Sequence, residues 1–290
     1  MSATQPASKR QVINPALRRV VSNETMAIMS LQPKVEKPTA AFGWRVYGLG
    51  VISLAIVCLV WGDFVLGQPV PKNFPARTAL ACAAGIFMLL AGTAVEWRRT
   101  AAWGAAALTA YYALIVVILM NGHLLLTHYA EYVTYEGIAE QLSIAAGALI
   151  VYAAFAPIDA ILAARLTRVG QLALGICALL FGGAHFVYMN FTAPLVPKWL
   201  PPTQTFWGYA TGIGFVAAGI AILTGIKARL AAILLTAMLA SFALLVHWPM
   251  LLVGHRTRED WTEACINLAV IGAAWVVADS LGGWRAALRG

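Results

Sequence analysis

The sequence predicts an all-α polytopic membrane bundle, with eight transmembrane helices arranged as two tandem four-helix repeats. Of its 290 residues, 61% are hydrophobic and only 11% are charged, whereas soluble chains carry about 25% charged residues. The charges fall in short clusters between apolar runs of roughly 20 residues, the length that crosses a hydrocarbon core. These observations exclude a soluble globular protein and make the lipid bilayer the first predicted partner.

The predicted helices follow a polar segment at residues 1–43. That segment lacks the apolar stretch of a secretory signal, and we expect it to be flexible and cytoplasmic. The later apolar runs are continuous and rich in Ala, Leu, Ile and Gly, unlike the alternating strands of a membrane barrel. The predicted helices cover approximately residues 44–63, 77–96, 101–126, 137–158, 168–189, 205–225, 229–252 and 262–281.

The basic residues predict the orientation of the helices. Three quarters of the 20 lysines and arginines lie on the side of the N-terminus, in the first segment, alternate loops and the C-terminal end. The other side holds only Lys72, Arg77, Lys198, Arg256 and Arg258. Because positive charge accumulates on the cytoplasmic side of membrane proteins, both termini are predicted to be cytoplasmic.

An internal repeat divides the helices into two groups of four. Residues 70–75 (VPKNFP) recur as residues 196–201 (VPKWLP), and Glu136 and Glu140 recur as Glu259 and Glu263. An even number of spans gives both units the same orientation, which predicts parallel repeats about an axis near the membrane normal. We therefore predict a first unit at residues 44–160 and a second at residues 167–283. The prolines keep each first loop non-helical, either as a cover over the bundle or as a stiff connector.

Several classes of function lack sequence support. The four cysteines form no CxxC pair and predict no disulfide or dithiol centre. The basic residues form no continuous stripe with stacking aromatics, which argues against nucleic-acid binding. There is no GxSxG sequence of the hydrolase kind, and the histidines lack the spacings of a helical metal site, so no metal is predicted.

Titratable residues collect at the predicted outer ends of the helices. All five histidines fall there: His123, His128, His185, His247 and His255. With nearby carboxylates they give one set of three residues in each unit. The sets are Asp63, His123 and Glu140 in the first unit, and His185, His247 and Glu263 in the second.

These sets are predicted ligand-binding residues, with a cavity expected between His185, His247 and Glu263. Lys198 and Trp199, in the second VPK segment, would lie on the covering loop. A histidine beside a carboxylate titrates near neutral pH and can exchange a proton with a ligand. The alternative is structural, since each histidine could simply join two helices through one hydrogen bond.

Segments of the second unit resemble DoxX-like bacterial membrane proteins. The resemblance covers about 120 residues and is weaker in the first unit, where Asp63-Phe64 replaces His185-Phe186. It rests on residues 182–186 (GGAHF), 195–201 (LVPKWLP), 207–212 (WGYATG), 228–232 (ARLAA), 245–249 (LVHWP) and 260–262 (DWT).

The resemblance implies an inner-membrane protein of four-helix units. DoxX-like proteins take their name from a subunit linked to thiosulfate oxidation with quinone as electron acceptor, and others are tied to oxidative stress and thiol balance. The expected function is therefore that of a membrane partner in redox or sulfur-linked electron transfer, with quinone and membrane-associated redox proteins as partners. A non-catalytic assembly subunit and a small-molecule transporter are the alternatives, and whether the chain catalyses a reaction stays open.

Overall fold

The computed structural model describes residues 42–253 and 256–287, so most of the segment predicted to be flexible and also His255 lie outside the described residues. Within these ranges all regular secondary structure is helical, and no strand is present. Among the residues that the structure describes, eight helices are long and apolar enough to cross a membrane. The predicted fold class is confirmed: the protein is an all-α, multi-pass membrane protein.

The eight spans match the predicted apolar runs. They are α1 (Gly43–Trp61), α2 (Arg77–Val95), α3 (Ala101–Thr127), α4 (Tyr132–Phe155), α5 (Ala160–Val187), α6 (Gln204–Thr224), α7 (Ala228–Val253) and α8 (Arg258–Ala287). Two of them contain a π-helical stretch, at Tyr111–Met120 in α3 and at Ala243–His247 in α7. No local sequence signal predicted these stretches.

Capping residues, prolines and glycines determine where the helices begin and end more closely than hydropathy does. Helix α5 begins eight residues before the predicted run, because the Asp159 carboxylate accepts a hydrogen bond from the Leu162 N–H at 2.9 Å and so satisfies one of the free donors of the first turn. Helix α4 ends at Phe155, since a proline at position 157 disfavours helical backbone at Ala156. Left-handed glycines follow α1 and α6, at Gly62 and Gly225.

Four helices form the centre of the bundle. Helix α1 packs along α8, α4 packs along α5, and α4 also contacts α8. The pairs α2/α3 and α6/α7 pack on opposite ends of this central group, each against the helices of its own half. Two parallel four-helix repeats related by one axis would produce the same order of neighbours, but the division into repeats stays a prediction.

Glycines allow the closest helix contacts. A Cβ atom on Gly272 of α8 would lie 2.3 Å from the Tyr47 Cα, and one on Gly50 of α1 would lie 2.4 Å from the Ala269 Cα. The backbones of α1 and α8 therefore touch, which is the packing that small residues permit in lipid. Other glycines of the spans also lie against neighbouring helices: Gly85, Gly92, Gly212, Gly214 and Gly219.

Hydrogen bonds between helices add to this packing. The Tyr47 hydroxyl donates to the Ile144 carbonyl at 3.0 Å, joining α1 to α4. The Asp279 carboxylate, near the end of α8, accepts hydrogen bonds from the N–H groups of Phe42 and Gly43 at the start of α1. The start of α1 and the end of α8 are therefore on the same side of the bundle, as an even number of spans requires.

Candidate functional site

The first predicted site residue, Asp63, joins three helices through ion pairs. It follows the end of α1, and its two carboxylate oxygens contact Arg77 at the start of α2 and Arg258 at the start of α8. All three side chains are roughly three-quarters buried. Because its two oxygens contact guanidinium groups from two different helices, the geometry of this carboxylate suits a fixed link between α1, α2 and α8.

Polar side chains fix the first loop, residues 62–76, against α2 and α3. The Arg77 Nε donates to the Val70 carbonyl at 3.3 Å. The Asn121 amide donates to the Gly67 carbonyl at 2.9 Å and to the Val116 carbonyl at 2.8 Å. These bonds hold the loop over the end of the helix pair. Of the two predicted roles of this loop, they favour a cover over the bundle rather than a stiff connector.

A cavity of 480 Å³ lies between this loop, α2 and α3, and we call it the α2/α3 cavity. Its volume falls within the range of small-molecule sites, about 300–1,000 Å³. Its walls are almost entirely apolar. They include Phe64, Val70 and Phe74 of the loop, Leu80, Ala83, Ala84 and Phe87 of α2, and Tyr111, Ile115, Leu119, Met120 and His123 of α3.

The π-helical stretch of α3 forms one wall of the cavity. Tyr111, Ile115 and Met120 follow one another at four- and five-residue intervals, which is the spacing that aligns side chains on a π-helix, and all three line the cavity. Such stretches are frequent at functional sites. The Tyr111 hydroxyl donates to Gln68 at 3.3 Å, and its ring lies 5.3 Å from that of Phe87.

His123 contributes an imidazole to the wall of the cavity. It lies in the last turns of α3, is exposed, and lines the cavity together with Met120 one turn earlier. The large apolar residues on the outer face of the cavity are exposed, Leu80 and Leu119 among them. Exposed apolar faces of membrane-spanning helices meet lipid, and the cavity lies on such a face of α2 and α3.

His185 lies among aromatic rings of the second half. Its Nδ1 is 2.9 Å from the Phe181 carbonyl of its own helix, and its ring centroid lies 5.2 Å from that of Phe215 in α6 and 6.3 Å from that of Phe242 in α7. Among the described residues, neither His185 nor His247 forms a hydrogen bond or ion pair with an acidic side chain. The geometry thus fits the packing role better than a His–carboxylate pair.

Glu140 and Glu263, one glutamate from each predicted set, lie near each other. Glu140 of α4 and Glu263 of α8 lie within electrostatic range of each other and of Glu136, where α4 meets α8. All three are partly buried. The structure therefore brings Glu140 and Glu263 together across the two halves, and it does not join either one to the histidine of its own set.

Three predicted site residues remain. His247 ends the π-helical stretch of α7 and is partly buried, while Lys198 and Trp199 are exposed in the loop between α5 and α6, Trp199 to 71%. Of the predicted site residues, His123 lines the α2/α3 cavity. In the described part of the chain, no three His, Cys, Asp or Glu side chains are grouped as metal ligands would be.

Comparison with protein-family models finds one similarity. Residues 174–278 match a domain of unknown function (DUF8561). The matched segment covers about a third of the chain and runs from within α5 to within α8. No DoxX family model matches, so the resemblance noted in the sequence is not confirmed.

Searches of curated proteins and of solved structures give no match. The class that fold and comparisons define together is therefore a polytopic membrane protein that contains a domain of unknown function. Its more specific function has to be inferred from the geometry of this chain.

Sequence reasoning missed the residues that build the α2/α3 cavity. Gln68 and Asn121 are both buried, and their hydrogen bonds fix the loop or its neighbours. The signal available in the sequence was that each is a polar residue beside an apolar run. Arg258 was counted only as an outer-side charge. Its contact with Asp63 joins residues 195 positions apart, and nothing local in the sequence indicates that pairing.

Proposed function

We propose that the protein is a bacterial inner-membrane protein that binds quinone in the α2/α3 cavity, as a membrane partner in redox or sulfur-linked electron transfer. The observation that carries the proposal is the 480 Å³ apolar cavity, which opens to the bilayer and has the predicted ligand residue His123 in its wall. The redox part rests on the DoxX-like resemblance of the sequence, and the binding part rests on the geometry.

The shape and lining of the cavity support a ligand with an aromatic head and an apolar tail. Phe64, Phe87 and Tyr111 offer ring surfaces on three sides, and aromatic rings pack favourably on one another. A quinone dissolved in the membrane could enter between α2 and α3 without crossing water. The size and the lateral opening therefore suit a quinone better than a polar metabolite.

The polar contacts available to the ligand are few. The His123 imidazole can donate a hydrogen bond to a quinone carbonyl, whereas the Tyr111 hydroxyl already donates to Gln68. A bound quinone would supply two-electron, two-proton redox chemistry. His123 would orient the ring and exchange a proton with the bound quinone.

The layout of the chain is part of the proposal. We infer two tandem units, residues 44–160 and 167–283, with both termini cytoplasmic and the α2/α3 cavity near the periplasmic face. The order of helix neighbours supports the repeat, since α1 on α8 corresponds to α5 on α4. The family match supports the second unit, because residues 174–278 fall entirely within it.

A second ligand site at His185, His247, Glu263 and Glu140, covered by Lys198 and Trp199, has less support. His185 is surrounded by aromatic rings, and the carboxylates approach one another at the contact of α4 with α8. If this site binds the quinone, substitution of His185 will weaken binding and substitution of His123 will not. The two versions of the proposal therefore give opposite results with the same pair of variants.

The test is quinone binding by the purified protein. Ala83 lines the α2/α3 cavity and Ala79 does not, although both are exposed alanines of α2. Ala83→Phe fills the cavity, so we expect it to lose bound quinone and saturable binding, while Ala79→Phe retains both. His123→Ala should weaken binding, and His123→Gln should restore part of it through its amide N–H donors.

Two results would overturn the proposal. One is lipid extraction and titration that show no quinone bound to the wild-type protein. The other is equal binding by Ala83→Phe and Ala79→Phe. Thermal unfolding of each variant shows that a loss of binding does not come from a loss of fold.

A further inference from the structure

A second cavity lies between the other outer helix pair, at the opposite end of the helices. It has a volume of 320 Å³ and is enclosed by α6 and α7, and we call it the α6/α7 groove. On α6 its wall consists of small residues, Gly214, Ala217 and Ala221, whereas α7 contributes the larger Leu230, Leu234 and Met238. Small side chains facing large ones leave an open groove along the helix pair.

The groove has the length of half a bilayer. Its lining runs from Lys227, just before α7, to Met238 within α7, and eleven residues at 1.5 Å each span about 16 Å. The hydrocarbon core of a bilayer is about 30 Å thick. Since Lys227 lies in the short connection between α6 and α7, the groove runs from the membrane interface to about the centre of the membrane.

One of the residues that line this apolar groove, at its interfacial end, is a cation, Lys227. Lys227 lines the groove, is exposed, and forms no ion pair with any acidic residue of the described chain. Its backbone has φ +51°, the left-handed conformation that few residues other than glycine adopt. The α6/α7 groove is apolar and about as long as one acyl chain, and an ammonium group lies at one end of it. It therefore complements a molecule with a hydrocarbon tail and an anionic head.

We propose that the α6/α7 groove binds an anionic phospholipid, with one acyl chain along the groove and the phosphate head against Lys227. The inference does not depend on quinone binding, because the groove shares no residue with the α2/α3 cavity. Basic residues beside membrane helices recognise anionic lipid heads in this way. The lipid fills a gap between α6 and α7 that protein side chains leave open.

The chain offers a matched control for the charge. Arg229 is also exposed and lies two residues after Lys227, but its guanidinium packs beside Gly282 of α8 and it does not line the groove. Lys227→Gln and Arg229→Gln therefore remove the same charge at nearly the same depth. A general attraction of the lipid to basic residues predicts equal effects, whereas the proposed site predicts an effect of Lys227 alone.

The experiment measures retention of added phosphatidylglycerol and phosphatidylcholine, with identical acyl chains, by native mass spectrometry of the detergent-purified protein. We expect the wild type to prefer phosphatidylglycerol, and Lys227→Gln to bind it about fivefold more weakly. Arg229→Gln should retain the wild-type affinity. Ala217→Phe, which fills the groove, should lose both lipids, while Ala83→Phe in the other cavity should lose neither.

Different results would contradict different parts of the proposal. Equal affinity for the two lipids in the wild type, or equal losses in Lys227→Gln and Arg229→Gln, would overturn the head-group contact. Unchanged lipid binding by Ala217→Phe would overturn the acyl-chain site. Inorganic phosphate that displaces phosphatidylglycerol from the wild type would show that the groove takes a free anion and not a lipid.

Discussion

The close backbone contact between α1 and α8 gives a prediction whose sign can be tested. A Cβ atom added to Gly272 of α8 would lie 2.3 Å from the Tyr47 Cα and N atoms and 2.8 Å from the Val46 carbonyl carbon, all of them backbone atoms of α1. Carbon atoms in contact prefer separations of about 3.5–4.0 Å. Gly272→Ala therefore requires α1 and α8 to separate by about 1 Å or more.

The size of the effect follows from two opposing contributions. Overpacking in a well-packed interior costs about 1–3 kcal/mol, and a backbone clash belongs at the upper end of that range. Alanine is favoured over glycine within a helix by about 1 kcal/mol. The net loss of unfolding free energy is therefore about 2 kcal/mol, which corresponds to a decrease in Tm of about 4–8 °C for a chain of this size.

Gly137 supplies the control, because a Cβ atom there has nothing within 4 Å. Gly137→Ala has only the helix-propensity gain, and we expect its Tm to rise by about 2–4 °C. Thermal unfolding of both variants in the same detergent, followed by tryptophan fluorescence, makes the comparison. A Gly272→Ala protein as stable as Gly137→Ala would refute the backbone contact between α1 and α8.

Two further predictions concern charged residues. Asp63→Asn should lower the unfolding free energy by about 1–3 kcal/mol, because it leaves the partly buried Arg77 and Arg258 without their shared carboxylate. The control is Glu259→Gln, at a 55% exposed carboxylate that also contacts Arg258, and it should change the unfolding free energy by less than about 0.5 kcal/mol. Equal Tm values for both variants would contradict the ion-pair link. Burial raises the pKa of Glu96, just beyond the end of α2, although Arg45 at 3.8 Å partly opposes the shift. Since the unfolded chain releases this proton more readily, wild-type stability should fall as the pH rises above the ordinary range of a glutamate, about 4. Glu96→Gln should match the wild type in acid and exceed it at about pH 8, and a Tm difference that does not vary with pH would contradict this reasoning.

The sequence predicted the helices because insertion into lipid depends on local composition. Runs of about 20 apolar residues satisfy their own backbone hydrogen bonds as helices, and no other open structure does so in a bilayer. The boundaries were less accurate, as at α5, where Asp159 and not hydropathy determines the start. Fold class and number of spans were therefore accessible from sequence alone.

The candidate site was less accessible, because it depends on which helices meet. Asp63, Glu140 and Glu263 were recognised as polar groups at helix ends, but their neighbours come from other helices: Arg258 for Asp63, and Glu263 for Glu140. A lipid-facing apolar pattern does not specify such contacts, since lipid provides no hydrophobic preference between helices. The α2/α3 cavity depends further on a loop held by Gln68 and Asn121.

Photoaffinity labelling with a quinone analogue tests the proposed function most directly. The wild-type protein, labelled in membranes and digested, should carry the probe on peptides from the α2/α3 cavity, residues 64–87 and 111–123. Excess quinone should compete with the label, and Ala83→Phe should remove it. Competed labelling near His185 or His247 instead, or none anywhere, would contradict the assignment of the quinone to this cavity.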